Sequence, residues 1–453
     1  MMERGRVPAL KAKNLPRVLR TRDQDHLAIA LAVFLPAALI RLALAPLTAW
    51  PNDTYTWVRL GWDALAGYGP YDRLGFSYPP GWAAVLALLL WPLLLVLPPD
   101  RWALFPSMNI SGLPVVHPLF LLVTKLPAIL ADLGVGWLLY RQARGLALLW
   151  LFNPLVVFVS AIQGQYDSFV SLTILLSLAA ALGGSAFLSG LACGIGTALK
   201  FVPLHIGPVM LAALVHQNVR VGVPRRAIAQ TLSWGLGGII GLAPALVLLS
   251  PGFWIVVTAR LDLAITSSDG LNLGALRRTP WAADWRFWTD WYPSLSQALL
   301  VFIPLLFALI VLWRGEGALI PAVVGSLTAI IAFQPVTQPQ YLLWVIPVAL
   351  LSGSRFYIVT VTALAMPALL FYEGLVGNLL AYVSQPLSMY LERGYAYEGT
   401  VTRYLEYVQG TGVFGGPVVS DTIGLIGSLV APVWIALLLV SLWKALRGGP
   451  QEC

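Results

Sequence analysis

The sequence predicts an all-α polytopic membrane protein, and three observations support that fold class. Apolar residues make up 58% of the 453 residues and charged residues only 11%, against about 25% charged in a typical soluble chain. The mean hydropathy is +0.78. About 12 apolar runs approach the roughly 20 residues that cross a bilayer as a helix. The predicted spans are 27–46, 118–140, 146–162, 168–184, 186–199, 201–215, 228–249, 293–313, 318–334, 341–353, 356–373 and 423–443.

The first span is preceded by a basic segment, 1–26, which predicts a cytoplasmic N-terminus. The apolar run after it is too long for a signal-peptide core, so the first helix is predicted to stay uncleaved. The formal net charge of +8 does not indicate nucleic-acid binding, because the basic residues cluster in short loops beside apolar runs. The two cysteines, Cys193 and Cys453, give no disulfide framework.

The next apolar run, 81–98, is predicted to remain on the outer side without crossing the membrane. Two prolines stand on each side of it and Pro92 interrupts it, which suits a broken interfacial helix. If the run crossed, Arg141, Arg144 and every later basic loop would change sides. The prediction leaves three outer segments and both termini in the cytoplasm. These segments are 47–117, 250–292 and 374–422.

The first outer segment is predicted to carry an amphipathic helix on the membrane surface. Within 54–66, the apolar residues Trp57, Leu60 and Ala64 recur at helical spacing. Asp53 precedes this run in a chain that is otherwise poor in charge. It is either a helix cap or a fixed, water-facing carboxylate suited to act as a general base. Both interpretations stay open, since a cap position also holds a carboxylate rigidly.

A second carboxylate, Asp167, lies in the short polar connection between two spans. On the predicted topology it faces the same compartment as Asp53. It is interpreted either as a substrate-site residue or as the cap of the helix that follows.

Intramembrane charges form a third group. Lys125 and Asp132 are seven residues apart and share one helix face, and a structural ion pair is the alternative to a functional role. Lys200 ends a span just before Pro203. A cation there suits an anionic lipid phosphate, or it snorkels to the interface. Arg260 and the pair Arg277-Arg278 are weaker phosphate candidates.

Other residues are given structural interpretations. The tryptophans of the second outer segment are either interface anchors or sugar-stacking rings. The isolated histidines have no ligand-spaced partners, so no metal site is predicted. The residues concerned are Trp281, Trp285, Trp288, Trp291, His117 and His205.

After the acidic residue that follows the first helix, several short motifs occur in a fixed order. They are Tyr78-Pro79-Pro80-Gly81, Lys125, Ala131-Asp132-Leu133, Asn153-Pro154, Gly164-Gln165-Tyr166-Asp167-Ser168, Leu199-Lys200 and Gln338-Pro339-Gln340-Tyr341-Leu342-Leu343-Trp344. This order resembles the GT-C superfamily of integral-membrane glycosyltransferases, in particular those that use polyprenyl- or dolichyl-phosphate sugars. The C-terminal third is similar only in being hydrophobic.

The resemblance implies a GT-C-like fold with about 12 transmembrane helices. Residues 27–350 would form the catalytic module, including the outer loop 47–117, and residues 351–453 would add C-terminal helices with the outer loop 374–422. The implied enzyme is an inverting hexosyltransferase, with mannose favoured, that acts on a glycan, lipid or protein acceptor at the extracytoplasmic side. A prokaryotic plasma membrane is favoured over the endoplasmic reticulum. No metal or other cofactor is implied.

The resemblance also assigns roles to individual residues. Asp53 resembles the catalytic base of the family. The substrate-binding positions would be Asp167, Tyr78, Gln165, Gln340 and Tyr341, and the donor phosphate would be held by Lys125, Lys200 and Arg260.

Two other classes remain as alternatives. A transporter or flippase of lipid-linked glycans would also carry intramembrane charges and proline-broken helices, but the chain shows no clear internal repeat. A non-catalytic membrane scaffold is the third class. It would not need carboxylates in two short outer turns.

Overall fold

A computed structural model gives the structure of the chain. It describes residues 23–49, 51–72, 78–96, 103–110, 113–116, 118–220, 222–248, 253–254, 269–270, 272–278, 285, 287, 291–334, 336–353, 355, 357–363 and 417–448. The predictions for Arg260, His117, Trp281, Trp288 and most of 374–422 lie outside these residues.

Helices dominate the described secondary structure, as the sequence predicted. They are α1 Asp23–Leu44, α2 Pro51–Leu65, α3 Gly81–Val96, α4 Pro118–Gln142, α5 Arg144–Leu151, α6 Pro154–Val157, α7 Asp167–Leu182, α8 Ala186–Leu199, α9 Val202–Arg220, α10 Pro224–Val247, α11 Tyr292–Arg314, α12 Leu319–Phe333, α13 Ile346–Leu351 and α14 Pro417–Arg447. Residues 357–363 are also helical. Short 3₁₀ turns cover Ala45–Leu47, Leu273–Arg278, Glu316–Ala318 and Pro339–Trp344, and a π-helical turn covers Phe158–Gln163.

Four short strands were not predicted. Strand β1 (Ala103–Ile110) pairs antiparallel with β2 (Leu113–Val116), with irregular register. Strand β3 (Asp269–Gly270) pairs in parallel with β4 (Val336–Thr337). The second pair joins the segment before α11 to the segment after α12.

The prediction of 12 spans is not confirmed. Within the described residues, five helices are long and apolar enough to cross a membrane, and a sixth span results if a pair bent by 51° counts as one. Five further apolar helices are shorter, at 10–17 residues. A helix rises about 1.5 Å per residue, so these do not cover a hydrocarbon core of about 30 Å by themselves.

Prolines explain much of the difference. Asn153 ends the helical run before Pro154, and its Oδ1 accepts a hydrogen bond from the Leu155 amide at 3.0 Å. The predicted span 146–162 is therefore the bent pair. The predicted span 341–353 is instead a 3₁₀ turn that begins at Pro339, followed by the six-residue helix α13. A hydropathy window counts apolar residues but does not register such breaks.

Helix α3 covers most of the run 81–98 as one continuous helix, although the sequence predicted a broken one. It contains 16 residues, about 24 Å of helix, with Pro92 inside it. Gly61 of α2 lets the two helices approach, since its Cα faces Leu86 and Leu90 of α3. The opposite face is open, with Leu95 74% exposed. Whether α3 crosses the membrane stays a prediction.

The centre of the bundle is formed by α12, which is buried along almost its whole length. Helices α4, α7 and α9 also contribute buried faces to this core. Helix α10 lies at the edge, where side chains such as Leu232 and Ile239 are more than half exposed. An exposed apolar face of that kind suits contact with lipid chains.

Glycines bring α8 and α10 into backbone contact. A Cβ added at Gly190 would meet the carbonyl oxygen of Trp234, and one at Gly194 would meet that of Gly238. Gly237 and Gly241 make the reciprocal approach to α8. Small residues at helix crossings of this kind are a common device of membrane bundles, where packing replaces the hydrophobic effect.

This packing predicts opposite effects for two glycine-to-alanine changes. Gly194→Ala should lower the free energy of unfolding by about 1–3 kcal/mol, because the methyl group forces the helices apart. Gly235→Ala lies on α10 where nothing is within 4 Å of the added carbon. It should stabilise the helix by about 0.5–1 kcal/mol. Thermal unfolding of both variants in the same detergent measures the effect, and equal shifts would contradict the close crossing.

Candidate functional site

Polar and aromatic side chains from separate segments meet at one end of the bundle. They come from the start of α2, the turn before α7, the residue after α8, the turn before α3 and the 3₁₀ turn Pro339–Trp344. We call this group the polar cluster. Its members are Asp53, Tyr78, Gln165, Tyr166, Asp167, Lys200, Gln340, Tyr341 and Trp344.

Lys200 lies at the centre of the polar cluster. Its Nζ is 2.8 Å from Oδ1 of Asp167, and both side chains are buried. Four rings surround the ammonium, with centroids 4.8–5.5 Å from Nζ, within the range of a cation–π contact. The rings belong to Tyr78, Tyr166, Tyr341 and Trp344. A carboxylate and four aromatic faces offset much of the cost of burying this charge.

Asp167 does not cap α7, contrary to one of the two interpretations. The helix begins at Asp167 itself, Tyr166 occupies the cap position, and no side chain caps the turn. The Oδ1 atom instead accepts from Lys200 and from the indole N–H of Trp344, each at 2.8 Å. Asp167 is therefore the point at which α7, the end of α8 and the 3₁₀ turn are tied together.

Asp53 lies in the first turn of α2, since the helix begins at Pro51, three residues earlier than predicted. Its Oδ2 accepts a hydrogen bond from the side-chain amide of Gln165. This contact links the first outer segment to the turn before α7, as the order of motifs suggested. Trp57, one turn further along α2, donates its indole N–H to the carbonyl of Gly164 at 3.0 Å.

The turn that carries Gln165 needs a glycine. Gly164 ends the π-helical turn with φ +80°, in the left-handed region that side chains with a Cβ rarely adopt. An added Cβ would also press on the Lys125 side chain. The reversal at Gly164 turns Gln165 toward Asp53 and starts α7 at Asp167.

Lys125 occupies a cage of oxygen atoms. Its Nζ donates to the carbonyls of Ala45, Thr48, Ala161 and Ile162 at 2.5–3.1 Å, and lies 3.2 Å from the Thr48 hydroxyl. The side chain is fully buried. Three ammonium protons are shared among five acceptors, so Lys125 ties the end of α1 to the π-helical turn. Its assignment as a donor-phosphate ligand stays a prediction, and it makes these contacts with the protein itself.

Asp132 is paired with Arg41 of α1. Arg41 Nε is 2.7 Å from Asp132 Oδ2, and neither side chain is exposed. Ser160 in the π-helical turn donates to the same carboxylate at 2.5 Å. Lys125 shares a helix face with Asp132, but its ammonium lies in the carbonyl cage and the ion-pair partner of Asp132 is Arg41. The alternative of a structural ion pair for Asp132 is thus supported, with a partner from another helix.

Four aromatic side chains lead from the polar cluster toward the exterior, and we call them the aromatic lip. They are Tyr71, Phe201, Phe253 and Trp254. The Tyr71 hydroxyl donates to the carbonyl of Tyr78 at 2.7 Å. The Tyr71 ring lies 5.7 Å from Phe253, which lies 6.3 Å from Phe201, the residue after Lys200. Phe201 is 40% exposed and Trp254, next to Phe253, is 67% exposed. Burial raises the pKa of Tyr71, so its hydroxyl stays neutral at ordinary pH.

The 3₁₀ turn brings two further predicted residues into the polar cluster. Gln340 is buried, and its amide donates to the side chain of Gln338. Tyr341 stacks on Trp344 with centroids 4.4 Å apart. Seven of the nine predicted site residues therefore belong to the polar cluster, with Gln340 included as the buried neighbour of Tyr341 in the same turn. Of the other two, Lys125 lies next to Gly164 and Arg260 is outside the described residues.

Sequence reasoning missed three contributors. Trp344 and Tyr166 were quoted in motifs but given no role, although Trp344 donates to Asp167 and the Tyr166 ring lies against Lys200. Arg41 was passed over within the first span, although an arginine in an apolar run is rare enough to signal a buried partner. Among the described residues, no three His, Cys, Asp or Glu side chains gather to hold a metal ion.

The helices and the buried charges define the class: this is an integral, multi-pass, α-helical membrane protein. Over residues 123–254, the chain is similar to the family described as GPI transamidase subunit PIG-U. The matched region includes Lys125, Asp132, Gln165, Asp167 and Lys200. It covers less than a third of the chain, and no curated protein matches the sequence.

This similarity corrects the predicted activity. A transamidase forms an amide bond and not a glycosidic bond, and the matching family is a transamidase subunit. The prediction of an inverting hexosyltransferase with a polyprenyl-phosphate sugar donor is therefore wrong. The role of Asp53 as a base depended on that reaction. The remaining assignments, as residues that bind a ligand, stay predictions.

Proposed function

We propose that this chain is a non-catalytic membrane subunit whose polar cluster binds the headgroup of a glycosylated phospholipid. The single observation that carries the proposal is that four members of the polar cluster lie in the region similar to a GPI transamidase subunit. They are Gln165, Tyr166, Asp167 and Lys200. Three properties of the cluster support headgroup binding. They concern its carboxylates, its rings and its surroundings.

The carboxylates of the polar cluster are engaged by the protein. Asp167 accepts from Lys200 and Trp344, and Asp53 accepts from Gln165. A carboxylate that is ion-paired and buried holds neighbouring groups in place but is poorly disposed to take a proton from a substrate. This favours a subunit that positions a ligand over one that transforms it.

The rings and amides of the polar cluster suit a sugar. Tyr78 and Tyr341 face Lys200 from different segments. Gln340 adds a buried amide, of which one N–H donates to Gln338, and an amide group has a second N–H and an oxygen with which to bind a ligand. Tyrosine offers an apolar face to the C–H surface of a sugar and a hydroxyl to its oxygens. A phosphodiester beside the sugar would be attracted to the Lys200 ammonium.

The aromatic lip suits the lipid portion. Phe201, Phe253 and Trp254 lie beside the polar cluster and leave substantial apolar area exposed. Amphipathic and aromatic side chains of this kind collect where a membrane protein meets the headgroup region. The lip would let acyl chains remain in the bilayer while the headgroup enters the cluster.

Binding to full-length protein in lipid nanodiscs tests this proposal. A glycosylphosphatidylinositol should bind more tightly than phosphatidylinositol, which lacks the glycan, and should be recovered unchanged. Gln340→Ala should weaken binding of the glycosylated lipid by about 5–30-fold, the loss of one or two hydrogen bonds from a buried amide. Native mass spectrometry or a fluorescence titration gives the affinities.

Trp137→Ala is the matched control. This ring is 48% exposed on α4, 12 residues from Lys125, which is about 18 Å along the helix. Its loss should leave the affinity unchanged. Equal binding of both lipids by the unaltered protein would reject headgroup recognition, and equal losses in both variants would place the ligand elsewhere.

The plasma-membrane location and the outer-side orientation of the polar cluster remain predictions. Membrane lipids are partners whatever the membrane and the orientation, because the exposed helix faces are apolar.

An orientation test follows from the predicted cytoplasmic position of Ala143, which lies between α4 and α5 and is exposed. In a background with Cys193→Ala and Cys453→Ala, a cysteine placed at that position should react with a membrane-impermeant reagent only from the cytoplasmic side. Labelling from the outer side would reverse the topology.

A further inference from the structure

We propose that the ends of α11 and α14 form a binding site for the phosphate of an anionic membrane lipid. The site is separate from the polar cluster and does not depend on the proposed function. It rests on four observations about the last turns of these two helices. They concern the guanidinium groups, their spacing, the residues one turn before them and the net charge.

Each helix ends in an arginine that lies against a tryptophan. The guanidinium carbon of Arg314 is 3.9 Å from the ring centroid of Trp313, and that of Arg447 is 4.1 Å from the ring of Trp443. A guanidinium stacked on a ring keeps its N–H groups at the edge, where they point away from the ring. Both arginines are exposed, and among the described residues neither forms an ion pair.

The ends of the two helices are adjacent. A Cβ built on Gly448, the residue after Arg447, would lie 3.2–3.4 Å from the Cβ, Cγ and Cδ atoms of Arg314. A third cation, Lys444, lies 5.0 Å from the ring of Tyr357. Each guanidinium offers the paired N–H donors that a phosphate accepts bidentately, and the adjacent helix ends bring one such group from each helix to the same region.

The residues one turn before the tryptophans suit acyl chains. Leu309 precedes Trp313 by four residues and Leu439 precedes Trp443 by four, so each pair shares one helix face. Leu309 is 62% exposed and Leu439 is 59% exposed. Each helix thus presents a leucine, then a tryptophan, then an arginine, in the order of chain, interface and headgroup that a lipid presents.

The local charges determine whether the site prefers an anionic or a zwitterionic ligand. Arg314, Lys444 and Arg447 contribute three positive charges, against about half a negative charge from each of the two helix C-termini. Glu316 is exposed two residues after Arg314, but no ion pair joins the two side chains. The local sum remains positive. A lipid with an anionic headgroup fits it better than a zwitterionic one.

Lipid binding by the full-length protein tests the site. Native mass spectrometry in detergent, with added phosphatidylglycerol or phosphatidylcholine, should show preferential retention of phosphatidylglycerol. Arg314→Gln with Arg447→Gln should weaken that retention at least about tenfold, since both paired donors are lost. Arg314→Lys with Arg447→Lys should give a smaller loss, because lysine keeps the charge without the planar fork.

Arg225→Gln with Arg226→Gln is the control. These arginines are exposed at the start of α10 and their removal changes the net charge by the same amount. The control should reduce phosphatidylglycerol retention less than about twofold. Equal losses in the two Gln pairs would overturn the proposal in favour of general charge attraction. Displacement of the lipid by millimolar inorganic phosphate would also overturn it, because a phosphate site without chain contacts would then suffice.

Discussion

Asp132→Ala is expected to lower the free energy of unfolding by about 3–5 kcal/mol, because it leaves the Arg41 guanidinium buried without its carboxylate. Both side chains are fully buried, and the pair joins α1 to α4. Ser160 would lose its bond to this carboxylate at the same time and keep only the Val156 carbonyl as an acceptor, so the tie between α4 and the π-helical turn is lost. Chemical or thermal unfolding of the purified protein in detergent measures the change.

A double variant separates the ion pair from general loss of packing. Arg41→Met with Asp132→Leu removes both charges and keeps most of the volume, so stability should return to within about 1–2 kcal/mol of the unaltered protein. If the double variant is as unstable as Asp132→Ala alone, the pair is not the source of the effect. Ser160→Ala should lower the free energy of unfolding by about 1 kcal/mol, and it measures the contribution of the Ser160 hydrogen bond separately from the ion pair.

The sequence predicted that Asp132 needs a partner but did not identify it. The rule was physical, since a carboxylate within an apolar helix is costly. The nearest cation on the same face was Lys125, yet the partner comes from a helix 91 residues earlier in the chain. Helical spacing predicts which residues share a face, but it contains no information about which helix packs against that face.

The number of spans was overestimated for a related reason. Hydropathy identified nearly all of the apolar segments that the structure describes. It could not show that prolines divide several of them into pieces too short to cross alone, as at Pro154 and Pro339. Non-helical backbone at such breaks is tolerated where protein surrounds it. The 3₁₀ turn after Pro339 is an example, because all six of its residues are buried.

The polar cluster was predicted better than its function. Short motifs far apart in the sequence converge as their order implied, with Asp53 beside Gln165 and Lys200 beside Asp167. The inferred reaction failed because the same residue types serve to hold a bundle together, to bind a headgroup or to transfer a sugar. The fold determines whether a carboxylate is already ion-paired within the protein. That pairing distinguishes between these roles.

Asp167→Ala is expected to destabilise the protein by about 3–5 kcal/mol, since the Lys200 ammonium would remain buried among four rings without an anion. Lys200→Met should also lower stability, because the buried Asp167 carboxylate loses its cation and keeps the hydrogen bond from Trp344. A buried lysine that served only to bind a lipid phosphate would be uncompensated in the free protein, and its removal would be expected to cost no stability. The ion pair reverses that expectation.

The double variant Asp167→Ala with Lys200→Met distinguishes a structural pair from a pair that also binds ligand. Removing both charges should restore most of the stability, with a coupling energy of about 0.5–3 kcal/mol in the double-mutant cycle. If Lys200 also attracts the phosphate of a glycosylphosphatidylinositol, affinity for that lipid should stay at least about tenfold weaker in the stable double variant. Gln340→Ala serves as the reference that weakens binding while leaving the pair intact. Recovery of both stability and affinity would make the pair purely structural, and the headgroup would then be held by the tyrosines and amides around it.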